Sequence, residues 1–170
     1  MVKNAIILLV AGALVFLLWR VMSPSEERRI VKVFDRASEL LSKDGGEPII
    51  AAASKARALA GLVVQGARLE IDERNIDLTI GGESLARQIA LVRSQTQLIN
   101  IGFEDISVVF SDDDTALVSA DVLFKGTSDL LGFSGRDTRE LSATMKRDSS
   151  SGDWLFEAIR LKPIVLRQTP

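Results

Sequence analysis

From Leu98 to Val165 the sequence alternates apolar and polar residues in long blocks separated by short turns. The blocks are LINIGFEDISVVF (98–110), TALVSADVLFKG (115–126), RDTRELSATMKRD (136–148) and DWLFEAIRLKPIV (153–165). The turns between them are SDDD, TSDLLGFSG and SSSG. A period of two marks strands, and short polar turns join antiparallel neighbours. In the second block Ala116, Val118, Ala120, Val122 and Phe124 share one face; Leu117, Ser119, Asp121, Leu123 and Lys125 share the other. The apolar face of such a sheet has to be covered by another part of the chain. In the last block Gly152 closes a hairpin, Trp154 enters the core beside the first helix, and Pro163 ends regular pairing.

The cover comes from upstream, where the period is 3.6. SPSEERRIVKVFDRASELLSKDGG reads as a helix with Ser23 as N-cap, Pro24 at the first position and Glu26 completing a capping box. Ile30, Phe34, Ala37 and Leu41 fall on one face, and Gly45 supplies a left-handed stop. A second, alanine-rich helix opens at Pro48, with Gly61 and Gly66 bracketing its exit. ARLEIDE and IDLTI alternate like short strands, and GGESLARQIALVRSQT returns to helix with Leu85, Ile89 and Val92 on one side. The expected fold is α+β: three helices packed on one face of a curved, mostly antiparallel sheet.

The first 22 residues stand apart. An unbroken apolar run extends from Ala5 to Trp19, with Lys3 before it and Arg20 after it. Its fifteen residues span roughly 22 Å as a helix, short of a hydrocarbon core of about 30 Å. Met1, Val2, Val21 and Met22, with Lys3 and Arg20 snorkelling, bring it to spanning length, and Trp19 fits an interfacial anchor. A cleaved signal peptide is the competing reading. The only small-x-small pattern, Ala11-Gly12-Ala13, lies inside the run, and no cysteine is present to accept a lipid. The reading adopted is an uncleaved signal anchor over residues 1–22, followed by one domain over 23–170. Arg20, Arg28, Arg29 and Lys32 after the run argue for a cytoplasmic body; the short basic tail before it resembles an export signal. The expectation is a single-pass protein of the inner membrane with its domain on the extracytoplasmic side.

Composition restricts the chemistry. After Ser25 the body carries 19 basic and 23 acidic residues, a net charge of −4, which lacks the basic face a nucleic-acid binder needs. There is no cysteine, histidine or tyrosine. Thiolate chemistry, disulfides, thiolate- or imidazole-based metal sites and the commonest general base are all excluded, and no cofactor is expected.

The order helix, helix, two short strands, helix, four long strands resembles the nuclear transport factor 2-like superfamily, the cone-shaped fold shared by SnoaL-like and ketosteroid-isomerase-like proteins. The resemblance covers residues 25–165. It is carried by EERRIVKVFDRASELLSK, by the Gly-Gly before the third helix and by the closing GDWLFEAIRL. The whole chain looks like uncharacterised bacterial members with an N-terminal anchor. The resemblance implies a pocket between the concave sheet face and the helices. In the superfamily that pocket serves isomerisation, dehydration or epoxide opening in some members, and ligand binding, dimer packing or scaffolding in others.

Isomerase-like and dehydratase-like members use Asp or His with Tyr partners, and this chain departs from them outright. Only an Asp/Arg/Asp arrangement, as in epoxide hydrolase relatives, remains open. Asp105, Asp121, Glu157 and Arg87 are its candidate parts, against a plain reading as solvated or salt-bridged surface residues. The aspartates at 112–114 suit a hairpin tip better than a calcium loop, and Gly81-Gly82 lacks the pattern of a phosphate loop. The apolar loop 129–135, with Leu130, Leu131 and Phe133, has four readings: a pocket cap, a bilayer contact, part of a dimer interface, or a loop folded on its own core. The expected function is a membrane-anchored, non-catalytic domain that binds an apolar small ligand or a protein partner at the cell envelope, a homodimer included. The alternative is a carboxylate-dependent hydrolase or isomerase acting on a small apolar substrate.

Overall fold

Glu26–Leu41 forms the first helix, α1, of a computed structural model that describes residues 25–72, 75–94, 96, 98–128 and 133–163. The apolar segment read as an anchor lies outside these residues. No helix among the described residues is long and apolar enough to cross a membrane. α1 buries Ile30, Phe34, Ala37 and Leu40, the stripe that 3.6 residues per turn places on one side. Its N-cap is Ser25 rather than Ser23: the Ser25 hydroxyl oxygen accepts from the Arg28 N–H at 3.3 Å. Glu26 does not complete a capping box. Its carboxylate accepts from the Trp154 indole N–H at 2.7 Å, a stronger, charge-assisted bond. Gly45 is not the helix stop either. The helix ends at Leu41 because Lys43 turns out of it to pair with Ile99 as an isolated bridge, and the left-handed glycine is Gly46, at φ 82°.

α2 (Ile49–Ala60) starts after Pro48 and stops at Gly61. β1 (Val63–Ile71) and β2 (Ile76–Ile80) form a short antiparallel pair, and α3 (Gly82–Ser94) follows. The four long strands are β3 (Leu98–Phe110), β4 (Thr115–Ser128), β5 (Phe133–Arg147) and β6 (Trp154–Pro163). All six strands form one sheet in the order β2-β1-β6-β5-β4-β3. Every neighbouring pair is antiparallel except β1 with β6, which is parallel. The β4–β5 connection is shorter than the sequence suggests, because Phe133 already pairs with Ser128; Leu130 and Leu131 lie outside the described residues. Register breaks in β1, in β3 after Glu104 and between Thr144 and Met145 supply the bends that curve the sheet. At Gly126 strand and neighbour run so close that a Cβ would collide with the Leu98 carbonyl oxygen.

The three helices cover one face of this sheet. β4 buries Ala116, Val118, Ala120 and Val122 toward them and leaves Leu117 and Ser119 on the other side, as the alternation requires. Phe34 from α1 sits between Phe103 and Phe156, edge to face, at centroid distances of 5.2 and 5.1 Å. Each such pair adds about 0.5–1.5 kcal/mol beyond the area it buries. The β5–β6 hairpin is fixed by its own turn. Gly152, at φ 74°, donates to the Asp148 carbonyl, and the Asp148 carboxylate accepts from the hydroxyl and N–H of Ser150 and Ser151. Those bonds hold Asp148 down to a pKa of about 2. Trp154, fully buried, then enters the core under α1.

Trp154→Phe removes the bond to Glu26 and leaves unfilled part of the space of the buried indole, so the bond sets the smallest loss expected. We expect a loss of at least about 1.5–3 kcal/mol, the range for a hydrogen bond to a charged group, read from urea unfolding of the wild type and variant.

Candidate functional site

The pocket implied by the resemblance would lie between the helices and the sheet. Here that layer is packed with Ile30, Phe34, Phe103, Leu141, Met145 and Phe156. The sequence candidates stand elsewhere. Asp105 is exposed at the β3 bulge, in the left-handed region at φ 51°. Asp121 is half-buried on the sheet face turned away from the helices, paired across the strands with Glu104 on one side and Glu140 on the other. Glu157 meets the Lys146 ammonium at 3.4 Å. Arg87 is exposed on α3, beside a groove shared with α2. The sheet thus brings Asp105 and Asp121 into one acidic region, and leaves Glu157 and Arg87 apart from it. Asp112 accepts from the Asp114 N–H at 2.9 Å, the local bond of a hairpin tip, and this bond holds its carboxyl below the ordinary value. Among the described residues no group of three acidic side chains is placed to hold a metal ion.

The most heavily bonded polar group is one the sequence reading missed. Arg93, in the last turn of α3, is 3 % exposed. Its guanidinium donates to the carbonyls of Leu40 and Leu41 at 2.7 and 2.9 Å, and to that of Ser42 at 3.1 Å. These are carbonyls that α1 leaves unpaired at its C-terminus, where the helix dipole also favours a cation. The same guanidinium grips both carboxylate oxygens of Glu47, through Nη2 at 2.7 Å and Nε at 3.1 Å. Glu47, whose side chain is 7 % exposed, takes a further ion pair from Lys55 at 3.0 Å. Lys43 in turn donates to the carbonyls of Arg93 and Thr96 at 2.6 and 2.5 Å. Burial works to raise the pKa of Glu47, but the hydrogen bonds and charges of Arg93 and Lys55 outweigh it and leave the carboxyl below its ordinary value. The network is saturated: among the described residues no buried side-chain nitrogen or oxygen lacks a partner. Its role is structural.

The outer face of the sheet is different. Val109 and Leu117 lie opposite each other on β3 and β4, 61 % and 50 % exposed, in strand positions where water would favour polar residues. Ser107, Ser119, Ser142 and Thr144 surround them, and the small side chains leave a shallow depression of about 500 Å³. Charges ring it. On one side Arg68 pairs with Asp77 at 2.7 Å and Arg160 with Asp72 at 3.0 Å; on another stand Glu104, Asp121 and Glu140.

No family model matches the sequence, and no curated protein is significantly similar to it. The likenesses are to solved structures. A protein from Novosphingobium aromaticivorans proposed to be a scytalone dehydratase superposes with a TM-score of 0.65 at 17 % identity, over 82 % of this chain and 84 % of that one. A variant of Rv3472 from Mycobacterium tuberculosis, a protein of unknown function, gives 0.62 at 15 % identity, over 85 % and 80 %. Aln2 from a Streptomyces species gives 0.59 at 18 % identity, over 83 % and 92 %. The chain therefore shares the fold of these structures.

Arg93→Leu strands Glu47 without its principal partner and leaves three carbonyls at the end of α1 unpaired. We expect a loss of about 3–5 kcal/mol in denaturant unfolding. The pH dependence has a definite sign. Glu47 has a folded-state pKa below its ordinary 4.5. It therefore stabilises the fold above that pH, and the contribution is lost as the pH falls through the lowered value. Glu47→Gln is expected to flatten this acid limb, measured as stability against pH from neutrality down to about pH 3.

Proposed function

We propose that the chain is a membrane-anchored, non-catalytic domain that binds a protein partner at the cell envelope through the outer face of its sheet. The observation that carries this reading is the exposed Val109–Leu117 pair on a floor of small side chains, ringed by charge. That composition, apolar and small at the centre and charged at the rim, is the anatomy of a protein interface. A second copy of the chain and a different envelope protein both suit such a surface. A small apolar ligand in the cone is less favoured, since side chains fill the layer between α1 and the sheet. A carboxylate-dependent hydrolase or isomerase would need acids converging on a substrate. Asp105 is instead exposed, Asp121 stands half-buried between Glu104 and Glu140, and Glu157 is held by Lys146. The anchor reading rests on the apolar run Ala5–Trp19, and the extracytoplasmic side on the short basic tail before it.

Native gel electrophoresis of membranes solubilised in mild detergent tests the partner. The wild type is expected to migrate as a complex larger than one chain, and Leu117→Glu to shift it to a smaller species without loss of folding. A wild type that runs as a monomer removes the reading. A phosphatase fused after Pro170 is expected to be active, and a cytoplasm-only fluorescent reporter at the same position dark; the reverse pattern puts the domain on the inner side.

A further inference from the structure

The helical side carries a second unpartnered surface, independent of the sheet face. On α2, Ile49, Ala53, Arg57 and Ala60 recur at helical spacing on one stripe; on α3, Glu83, Arg87 and Leu91 do the same. Between the two helices runs a groove of about 510 Å³, floored by alanines and closed at one end by Gly61 and Gly82. Beyond its lining, at the end away from Gly61 and Gly82, stand exposed apolar side chains. Ile49 and Ile50 are 87 % and 86 % exposed, as isolated as large side chains in a folded domain can be, and Leu91 on α3 is also exposed. Toward the closed end Arg57 and Arg87 line opposite walls, and neither makes an ion pair or side-chain hydrogen bond among the described residues.

We infer that the groove is a docking site for an amphipathic helix of a partner protein. The occupant's apolar stripe packs on Ile49, Ile50 and Leu91, and its acidic side chains meet Arg57 and Arg87. The acidic character follows from Arg57 and Arg87, which outnumber the one carboxylate of the groove, Glu83; the helical form follows from a groove between two helices. A bilayer is the less suitable occupant. Residues 1–24 lead into the N-terminus of α1, which lies beside the β5–β6 hairpin through the bond from Arg29 to the Gly152 carbonyl. Ile49 follows the far end of α1, about 24 Å along its axis. If the anchor holds the first of these poles at the membrane, the isoleucines project from the other.

The test is site-specific photocrosslinking of the full chain in its native membranes. Benzoylphenylalanine replaces Ile50 or Leu91 in turn, with Leu117 as the probe of the sheet face. The expected result is one protein adduct shared by positions 50 and 91. Its crosslinked peptide should carry an acidic amphipathic helical pattern, and its yield should fall at least tenfold in Arg57→Glu/Arg87→Glu. The double variant should retain the far-ultraviolet circular dichroism and the position-117 adduct of its parent. A lipid adduct, an adduct with a second copy, an adduct indifferent to the arginine reversal, or no adduct at positions 50 and 91 each overturns the inference. Absence of a protein adduct at position 117 in the parent chain overturns the sheet-face reading and leaves this one standing.

Discussion

One guanidinium ties the three helices to one another. Arg93 ends α3, caps the carbonyls that α1 leaves open and grips Glu47 just ahead of α2, so three helices meet on one planar fork of N–H donors. Lysine could not do this, because a single ammonium cannot satisfy a planar carboxylate and three carbonyls on different sides. Lys43 closes the circle by bonding the carbonyls of Arg93 and Thr96 while its backbone pairs with Ile99. The edge of β3 is thereby tied to the end of α1. The aromatic packing of Phe34 against Phe103 and Phe156 depends on that alignment, because α1 and β3 must keep their spacing for the rings to meet edge to face.

The long strands were legible because alternation is a local property. β3 begins and ends where the sequence places it, and the buried face of β4 is the one its pattern marks. The three helices were legible for the same reason. What escaped depends on partners distant in the chain. Glu26 looked like a capping-box residue because nothing local reveals that Trp154 arrives beside it, 128 positions later. Arg93 looked like an ordinary basic residue in a last turn, since backbone carbonyls and one glutamate 46 positions away leave no spacing signal. The parallel pairing of β1 with β6 brings together strands from opposite ends of the domain, which no periodicity encodes.

The chemistry was legible mainly by subtraction. A chain without histidine, tyrosine or cysteine has few ways to move a proton or form a covalent intermediate. The candidate carboxylates were chosen from strands by type alone, and a strand position does not say which face its side chain takes until the register is known. With the register known, Asp121 stands among like charges on the open side of the sheet. The surfaces that distinguish this domain from a sealed one, the Val109–Leu117 pair and the exposed Ile49–Ile50, are apolar. In the sequence they are indistinguishable from residues of the core.

The first turn of α1 and the last hairpin are joined by hydrogen bonds from the Trp154 indole to Glu26 and from Arg29 to the Gly152 carbonyl, and by ion pairs of Arg147 with Glu26 and of Arg29 with Asp153. The chain therefore enters the domain where its final strand begins. A pull applied from the N-terminal side meets these bonds before it reaches the packing of α1 on the sheet. The load passes into β6 and, through its pairing, into β5 at the centre of the sheet. The helix is thus clamped to the sheet at the point of traction, and α1 can peel from its bed only after these contacts part.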